Sequence, residues 1–274
     1  MKILMLNSTG KNEDGPFNLR NRVPAEALRE RGHTVDIEPK DFNYDIVAFY
    51  RFYRMDVSLI MKMCRSFGAK IVYDTDDLVY KVKSDNPSRL LLNNSGSTAI
   101  PLLKEADLVT CTTQHLQREL AKVTSKPIVV VPNALNLGNW RVRAGNKKVK
   151  RIGFVGSVSH YPDFDIVLDA LVQLQSRYDF EFVTMGLEVD NWLSIMEQDD
   201  PTNRFIPIAK SALEKLAKLK WTKHTWVKYD DYPNKIAEMN LDIGLAPLHY
   251  SRFNSCKSSL KFYEYSSAGT LWLA

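Results

Sequence analysis

The residues best suited to chemistry in this chain lie near its end, in Cys256-Lys257-Ser258-Ser259-Leu260-Lys261-Phe262-Tyr263-Glu264-Tyr265-Ser266-Ser267-Ala268-Gly269. They follow an apolar run, 241–248, that reads as a buried strand, and they open on serines before a helix that Gly269 closes. A helix N-terminus carries free backbone N–H groups and the positive end of the helix dipole. Lys257 and the hydroxyls of Ser258 and Ser259 would therefore stabilise an anion there. Glu264, one to two turns into the helix, would accept hydrogen bonds from sugar hydroxyls. A diphosphate at the helix start and a ribose further along outline a nucleoside-diphosphate sugar.

The elements that must position these residues alternate along the whole sequence. Short β-branched runs predict strands over 2–6, 33–37, 46–49, 70–73, 108–112 and 128–131, with amphipathic stretches at 19–31, 57–67 and 116–122 between them. A second series of strands is predicted over 151–155, 180–185, 225–229, 241–246 and 270–273, with helices over 163–177, 211–219, 233–239 and 259–268. Strand and helix alternating at this spacing predict an α/β fold with parallel, doubly wound sheets. Residues 138–150 break the pattern with two glycines and the basic cluster Arg141, Arg143, Lys147, Lys148 and Lys150, and they read as a linker. The reading is thus two Rossmann-like domains, 1–137 and 151–274, facing a cleft, with ligands expected beyond the carboxyl ends of the strands.

Composition bounds the function. With 274 residues and 45% apolar content, the chain can bury two α/β cores. A net charge of +5 suits anionic ligands but falls short of the dense basic faces of nucleic-acid binders, so no nucleic acid is expected. The three cysteines, Cys64, Cys111 and Cys256, form no C-x-x-C pair and point to a reducing compartment. The first seven residues read as a strand rather than a leader. No apolar run approaches the ~18 residues of a membrane span. The expectation is a soluble, cytoplasmic protein. It lacks both G-x-G-x-x-G and a Walker A sequence.

The 256–269 segment resembles the donor-site motif of glycosyltransferases with the two-domain GT-B fold, particularly the retaining enzymes of family four. Their usual pattern is two glutamates eight positions apart, the second on a helix that ends in small residues and Gly. Glu264 matches the second; the first position holds Cys256, and no residue takes that role here. Asn254-Ser255-Cys256-Lys257-Ser258 instead resembles a subgroup with an Asn-x-x-Lys-Ser signature, in which the lysine takes over charge compensation. The resemblance runs from the first strand to Gly269 and is strongest over 226–269. It implies that 1–137 is the acceptor-side domain and 151–274 the nucleotide-sugar donor domain. Family members usually continue beyond this last strand, and the chain stops at Ala274, so the second domain reads as C-terminally short: a truncation or a naturally short variant.

Further motifs carry the same resemblance with departures. The loop from Ser8 to Pro16, with Gly15, resembles the glycine-bearing loop that approaches phosphate or acceptor; the alternative is an ordinary surface loop. Tyr73-Asp74-Thr75-Asp76-Asp77-Leu78 sets Asp74, Asp76 and Asp77 at a strand end, where like charges raise one another's pKa unless a cation or donors share the site. It resembles an acceptor-side motif of the same subgroup. A metal-binding Asp-x-Asp of the GT-A fold and a helix cap by Asp77 are the alternatives. Val131-Pro132-Asn133-Ala134-Leu135-Asn136 resembles the motif before the interdomain crossover and reads as a turn. After Gly153-Phe154-Val155-Gly156-Ser157, family members place an arginine and then a lysine on the donor phosphates. Ser157 and Asp163 stand there instead, so the charge falls to Lys257, with Arg252 and Lys261 behind it. His160 donates to a phosphate or is simply a capping residue. The loop 226–233, with Tyr229 and Tyr232, is implied to cradle the nucleobase, unless its rings belong to the core. Arg20, Arg22, Arg29 and Arg31 on the first helix read as a solvated face, with peripheral contact to anionic lipid or contact to an acidic acceptor as the alternatives.

What the resemblance implies is a retaining, metal-independent glycosyltransferase with no resident cofactor, a nucleoside-diphosphate sugar as donor, and a glycan, lipid or protein as acceptor. Its rivals are a non-catalytic nucleotide-sugar binding module and a metal-dependent Asp-x-Asp transferase. An oxidoreductase lacks its glycine fingerprint.

Overall fold

A computed structural model describes residues 1–8, 15–53, 56–81, 95–142, 148–157 and 160–274. They fall into two compact units, one within Met1–Lys83, Arg89–Leu135 and Ser251–Ser258, the other within Asn136–Tyr250 and Ser259–Ala274. The loop residues 9–14 and the basic residues Arg143 and Lys147 of the predicted linker lie outside the described residues.

The first unit is built on a six-stranded sheet. Its strands are β1 (Lys2–Asn7), β2 (Thr34–Asp36), β3 (Ile46–Tyr50), β4 (Lys70–Thr75), β5 (Leu108–Cys111) and β6 (Ile128–Val130), in the order β2-β1-β3-β4-β5-β6. Every pairing is parallel. The helices are α1 (Val23–Glu30), which continues a π-helical turn Asn18–Arg22, then α2 (Asp56–Ser66), α3 (Ser95–Glu105) and α4 (Gln114–Leu120). A parallel sheet is covered on both faces, which is why the central strands read as apolar runs. Phe49, Ile71, Tyr73 and Val109 are buried among Leu102, Leu116 and Met61.

The second unit holds β7 (Arg151–Val155), β8 (Glu181–Met185), β9 (Trp221–His224), β10 (Ile243–Leu245) and β11 (Leu271–Leu273), parallel and ordered β11-β10-β7-β8-β9. Its helices are α5 (Tyr161–Gln175), α6 (Val189–Asp199), α7 (Ile206–Leu216), α8 (Tyr232–Met239) and α9 (Leu260–Ser267). Proline stands in the first turn of α5, α7 and α8, where its missing N–H removes no helical bond and its fixed φ starts the helix. Asn240, in the left-handed region at φ 55°, ends α8.

Both sheets have a switch point, the place where consecutive strands depart to opposite sides of the first one. In the first unit it lies between β1 and β3, in the second between β7 and β10. Ligands of such sheets bind beyond the carboxyl ends of the strands there.

Two sequence expectations change. The strand expected over 225–229 lies earlier, at Trp221–His224. Both segments alternate, and the register is settled by side chains on β8: the Trp221 indole N–H donates to Thr184 Oγ1 at 2.9 Å. Residues 251–258, expected in the donor domain, belong to the first unit. Phe253 and Cys256 are buried in that unit's core and carry their polar neighbours with them.

Gly244 has a steric reason to be glycine. A Cβ built on it would lie 2.6 Å from the ring of Tyr265, which is completely buried and has no room to retreat. Gly244→Ala is expected to cost about 1–3 kcal/mol of stability through this overpacking. Gly15→Ala, where nothing lies within 4 Å, serves as the comparison in chemical denaturation. Equal midpoints for the two variants would refute the steric account.

Candidate functional site

The second unit's switch point is organised by Tyr265. Its hydroxyl donates to the Leu245 carbonyl at the end of β10 and accepts the Val155 N–H at the end of β7, each at 3.1 Å. One hydroxyl therefore fixes α9 against the two strands that flank the crevice. The neighbouring residue on the helix is Glu264, also buried. Its Oε2 accepts from the Tyr232 hydroxyl at 2.8 Å and from the Lys261 ammonium at 2.6 Å, and Lys261 Nζ also donates to the Tyr232 oxygen at 3.1 Å. Both bonds fall on Oε2; among the described residues Oε1 has no protein partner. Burial, and then the Glu264 carboxylate, lift the Tyr232 phenol well above its ordinary pKa, so it stays a neutral donor. Trp140 and Trp226 pack around the Tyr232 ring at centroid distances of 6.1 and 6.0 Å.

Other residues singled out from the sequence surround this unit's carboxyl edge. Gly156 follows β7 directly, and a Cβ there would meet the Phe154 ring at 2.7 Å. Ser157 comes next and is exposed. His160 Nδ1 lies 2.9 Å from Asp163 Oδ2, while Asp163 Oδ1 accepts the His249 N–H at 2.9 Å, so the residue replacing the family's lysine ties two loops together. Tyr229, half-buried, precedes α8, and its carbonyl accepts the Tyr232 N–H at 3.2 Å. Ser259 stands at the N-cap of α9 without a side-chain capping bond.

Arg252, Lys257 and Ser258 are found instead in the first unit. Arg252 pairs with Glu119 at 2.6 Å, the Ser258 hydroxyl accepts the Asn133 side-chain amide at 3.0 Å, and Lys257 Nζ lies 3.8 Å from Asp77 Oδ1. The Cys256 carbonyl accepts the Thr113 hydroxyl at 2.9 Å. The serine pair of the motif is thus divided between the units: Ser258 belongs to the first, Ser259 to the second.

The acidic cluster sits at the carboxyl end of β4, and two arginines account for it: Arg20, read from the sequence as part of a solvated face, and Arg51, which the sequence reading did not single out. Arg20 is buried, contrary to the solvated face expected for it. Its Nε and Nη2 donate to the two Asp74 oxygens at 2.9 and 2.6 Å, and Nη1 donates to the Val131 carbonyl at 2.7 Å. Thr110 adds a hydroxyl to Asp74 at 2.6 Å. Arg51, at a left-handed φ of 53°, donates from Nε to Asp76 at 2.5 Å and from Nη2 to Asp77. Burial lifts Asp76 above the ordinary carboxylate range even though Arg51 pulls it down. Arg29 is likewise engaged, with Nε and Nη2 on the Val35 carbonyl. The signal for Arg20 lay in Asp74: a carboxylate ending a buried strand requires a buried cation or several donors. Among the described residues, no group of three His, Cys, Asp or Glu side chains is arranged to hold a metal ion. Gly15 opens a short helix, Gly15–Phe17, with open space around it. Asn136, expected in a turn, accepts the Gly138 N–H at 3.1 Å.

No protein-family model matches the sequence, and no curated protein matches it. Solved structures do. The chain is similar to an alpha-glucosyltransferase (AGT) in complex with UDP, at TM-score 0.60 and 12% identity over 99% of this chain and 80% of that one. It is similar to the lipopolysaccharide outer core galactosyltransferase WaaB, at TM-score 0.52 and 12% identity over 99% and 80%. It also matches a variant of S. aureus TarM in complex with UDP, at TM-score 0.52 and 10% identity over 83% of this chain and 40% of that chain. The chain thus spans less than half of TarM. Two Rossmann-like units with parallel sheets make this the GT-B fold of glycosyltransferases.

Removing the Arg20 charge while leaving Asp74 buried is expected to destabilise the protein by about 3–5 kcal/mol in Arg20→Met. Adding Asp74→Leu should recover much of that loss, because no uncompensated charge then remains. Urea unfolding of the single and double variants gives the comparison. A single variant within about 0.5 kcal/mol of the parent would mean that the pair is solvated.

Proposed function

We propose that this chain acts as a glycosyltransferase that takes a sugar from a nucleoside-diphosphate donor, with retention and without a divalent ion, in the manner of the family-four enzymes it resembles. The observation that carries the reading is Glu264. It is held through one oxygen by Tyr232 and Lys261, its other oxygen has no partner among the described residues, and Tyr265 fixes its helix at a switch point. A carboxylate so held can take a hydroxyl of the donor without moving. The fold shared with enzymes whose structures contain UDP supports the same reading.

The chemistry asked of the protein is stabilisation of the negative charge that develops on the departing nucleoside diphosphate. Lys261 is committed to Glu264 at 2.6 Å, whereas the Lys257 ammonium has a looser contact of 3.8 Å to Asp77. Lys257 is therefore the proposed source of charge for the diphosphate, with Arg252 and Lys261 as the alternatives. Metal independence is supported by the arginines on Asp74, Asp76 and Asp77, which already supply the cationic charge a divalent ion would bring. Among the described residues no helix is long and apolar enough to cross a membrane, and the three free cysteines are buried. A cytoplasmic setting belongs to the same reading. A non-catalytic nucleotide-sugar binding module is the second reading, favoured by the buried Cys256 in the position of the family's first glutamate. Donor turnover separates the two.

UDP-, GDP- or dTDP-type ligands are expected to stabilise the protein in the presence of chelator by about 2.7 kcal/mol at a hundredfold excess over Kd, read as a raised unfolding midpoint. Stabilisation that required manganese or magnesium would overturn the metal-independent reading. Glu264→Gln should stay folded and lose about ten- to hundredfold in affinity for the donor. Unchanged affinity would remove Glu264 from the site. Lys257→Ala should lose more affinity for the nucleoside diphosphate than for the bare nucleoside in calorimetric titration. Equal losses would reduce Lys257 to a loop-shaping role.

A further inference from the structure

The amino edge of the second unit's sheet, opposite the Tyr265 anchor, holds a cavity of about 510 Å³. Helix α5 ends at Gln175, whose side chain pins the helix end to two strands. Its amide donates to the Phe180 carbonyl at 2.9 Å, and its Oε1 accepts the Lys220 N–H at 2.8 Å. The cavity lies between the turn that follows and the segment that enters β7. Ile152 and Phe180, both buried, form its floor, and Val149, Leu174 and Tyr178 its rim, where they are 47%, 40% and 64% exposed. A concave apolar site within the roughly 300–1,000 Å³ of small-molecule pockets suits one small ligand rather than a macromolecule.

Charge narrows the class of ligand. Over the segments of this edge, 148–152, 174–181, 218–221 and 240–243, six cations meet three carboxylates: Lys148, Lys150, Arg151, Arg177, Lys218 and Lys220 against Asp179, Glu181 and Asp242. Asp179, in the cavity wall, is shared by Lys150 and Lys220 at 3.3 and 3.5 Å. Glu181 takes Arg151 at 2.9 Å. Asp242 accepts the backbone N–H groups of Lys150 and Arg151 and keeps its charge. Lys148, also in the wall, has no ion-pair partner among the described residues. The acids further up α5 and α7 do not reverse the sign: adding Asp165, Asp169 and Glu214, with Lys215 against them, still leaves the cations in the majority.

We infer that this cavity binds a small amphiphilic organic anion, its hydrocarbon body against Ile152, Leu174 and Phe180 and its carboxylate on the Lys148 ammonium. Burial of the hydrocarbon supplies the drive and the ammonium selects the sign of the head group. A cation of the same shape would meet the excess positive charge. A second copy of the chain across a two-fold axis would bring like charge to like.

Calorimetric titration of the full chain with decanoate tests this, with decyltrimethylammonium, the same hydrocarbon under the opposite charge, beside it. Decanoate should bind at a single site, about tenfold or more tightly than the cation, and more weakly as salt rises. Lys148→Glu should lower decanoate affinity by about tenfold at an unchanged melting temperature, since Lys148 is exposed and unpaired. Leu174→Asp, which sets a carboxylate in the wall, should lose binding to a similar extent. Leu59→Ser, at a 64% exposed position on α2 of the first unit, should bind as the parent does. No saturable binding of decanoate, equal affinities for the anion and the cation, or a Lys148→Glu chain that binds like the parent would overturn the inference. Equal losses in Leu59→Ser and Leu174→Asp would overturn it too, because decanoate would then be meeting exposed apolar surface in general.

Discussion

The Tyr265 hydroxyl sets the frame for the carboxyl edge of the second unit's sheet. It joins the ends of β7 and β10, and it can do so only because Gly244 leaves the ring a place to lie on the strand. Two strands that depart to opposite sides leave a crevice at their carboxyl ends, and the helix that follows must be held there for its residues to face a ligand. With Tyr265 fixed, Glu264 has little choice of direction, and Tyr232 and Lys261 complete its orientation. The setting of Glu264 thus follows from a packing contact one residue away from the carboxylate.

The first unit meets a different constraint. Its sheet ends in a carboxylate at Asp74, buried where water cannot solvate it. Removing a charge from water costs several kcal/mol even after relaxation. The compensation comes from a planar guanidinium placed bidentately by four consecutive buried residues, Asn18 to Asn21, in a π-helical turn. The same guanidinium reaches the Val131 carbonyl, so β4, β6 and the first helix are tied through one side chain.

Much of this was legible in the residues. Among the described residues ten of the eleven strands fall on the apolar runs because buried parallel strands permit little else, and Gly269 and the prolines mark helix ends by backbone chemistry alone. Helices α3 and α6 were not: Ser95–Glu105 carries a proline in its interior, and Val189–Asp199 mixes acids with its apolar face. Strand β9 was displaced because period-2 alternation continues on both sides of it, and only the Trp221–Thr184 contact selects the register. Glu264 was found from the motif, but its partner Tyr232 was read only as a ring that cradles the base or belongs to the core, the second of which holds. A hydrogen bond across 32 positions leaves no mark on local pattern. Arg20 went unread for a related reason, since charged residues on an amphipathic helix default to solvent unless a buried counter-charge is recognised first.

The division of residues 250–259 has a consequence for anyone handling the molecule in pieces. Because the chain passes from the second unit to the first at 250/251 and returns at 258/259, in addition to 135/136, the units are interlaced along the backbone and no single cut releases them. A fragment starting at 136 would carry Phe253 and Cys256 as a greasy loop with no core to enter, while a fragment ending at 135 would lack the partners of Glu119, Thr113 and Asn133. Recombining two such fragments, rather than expressing either alone, is the route by which split versions of this chain would regain a complete first unit.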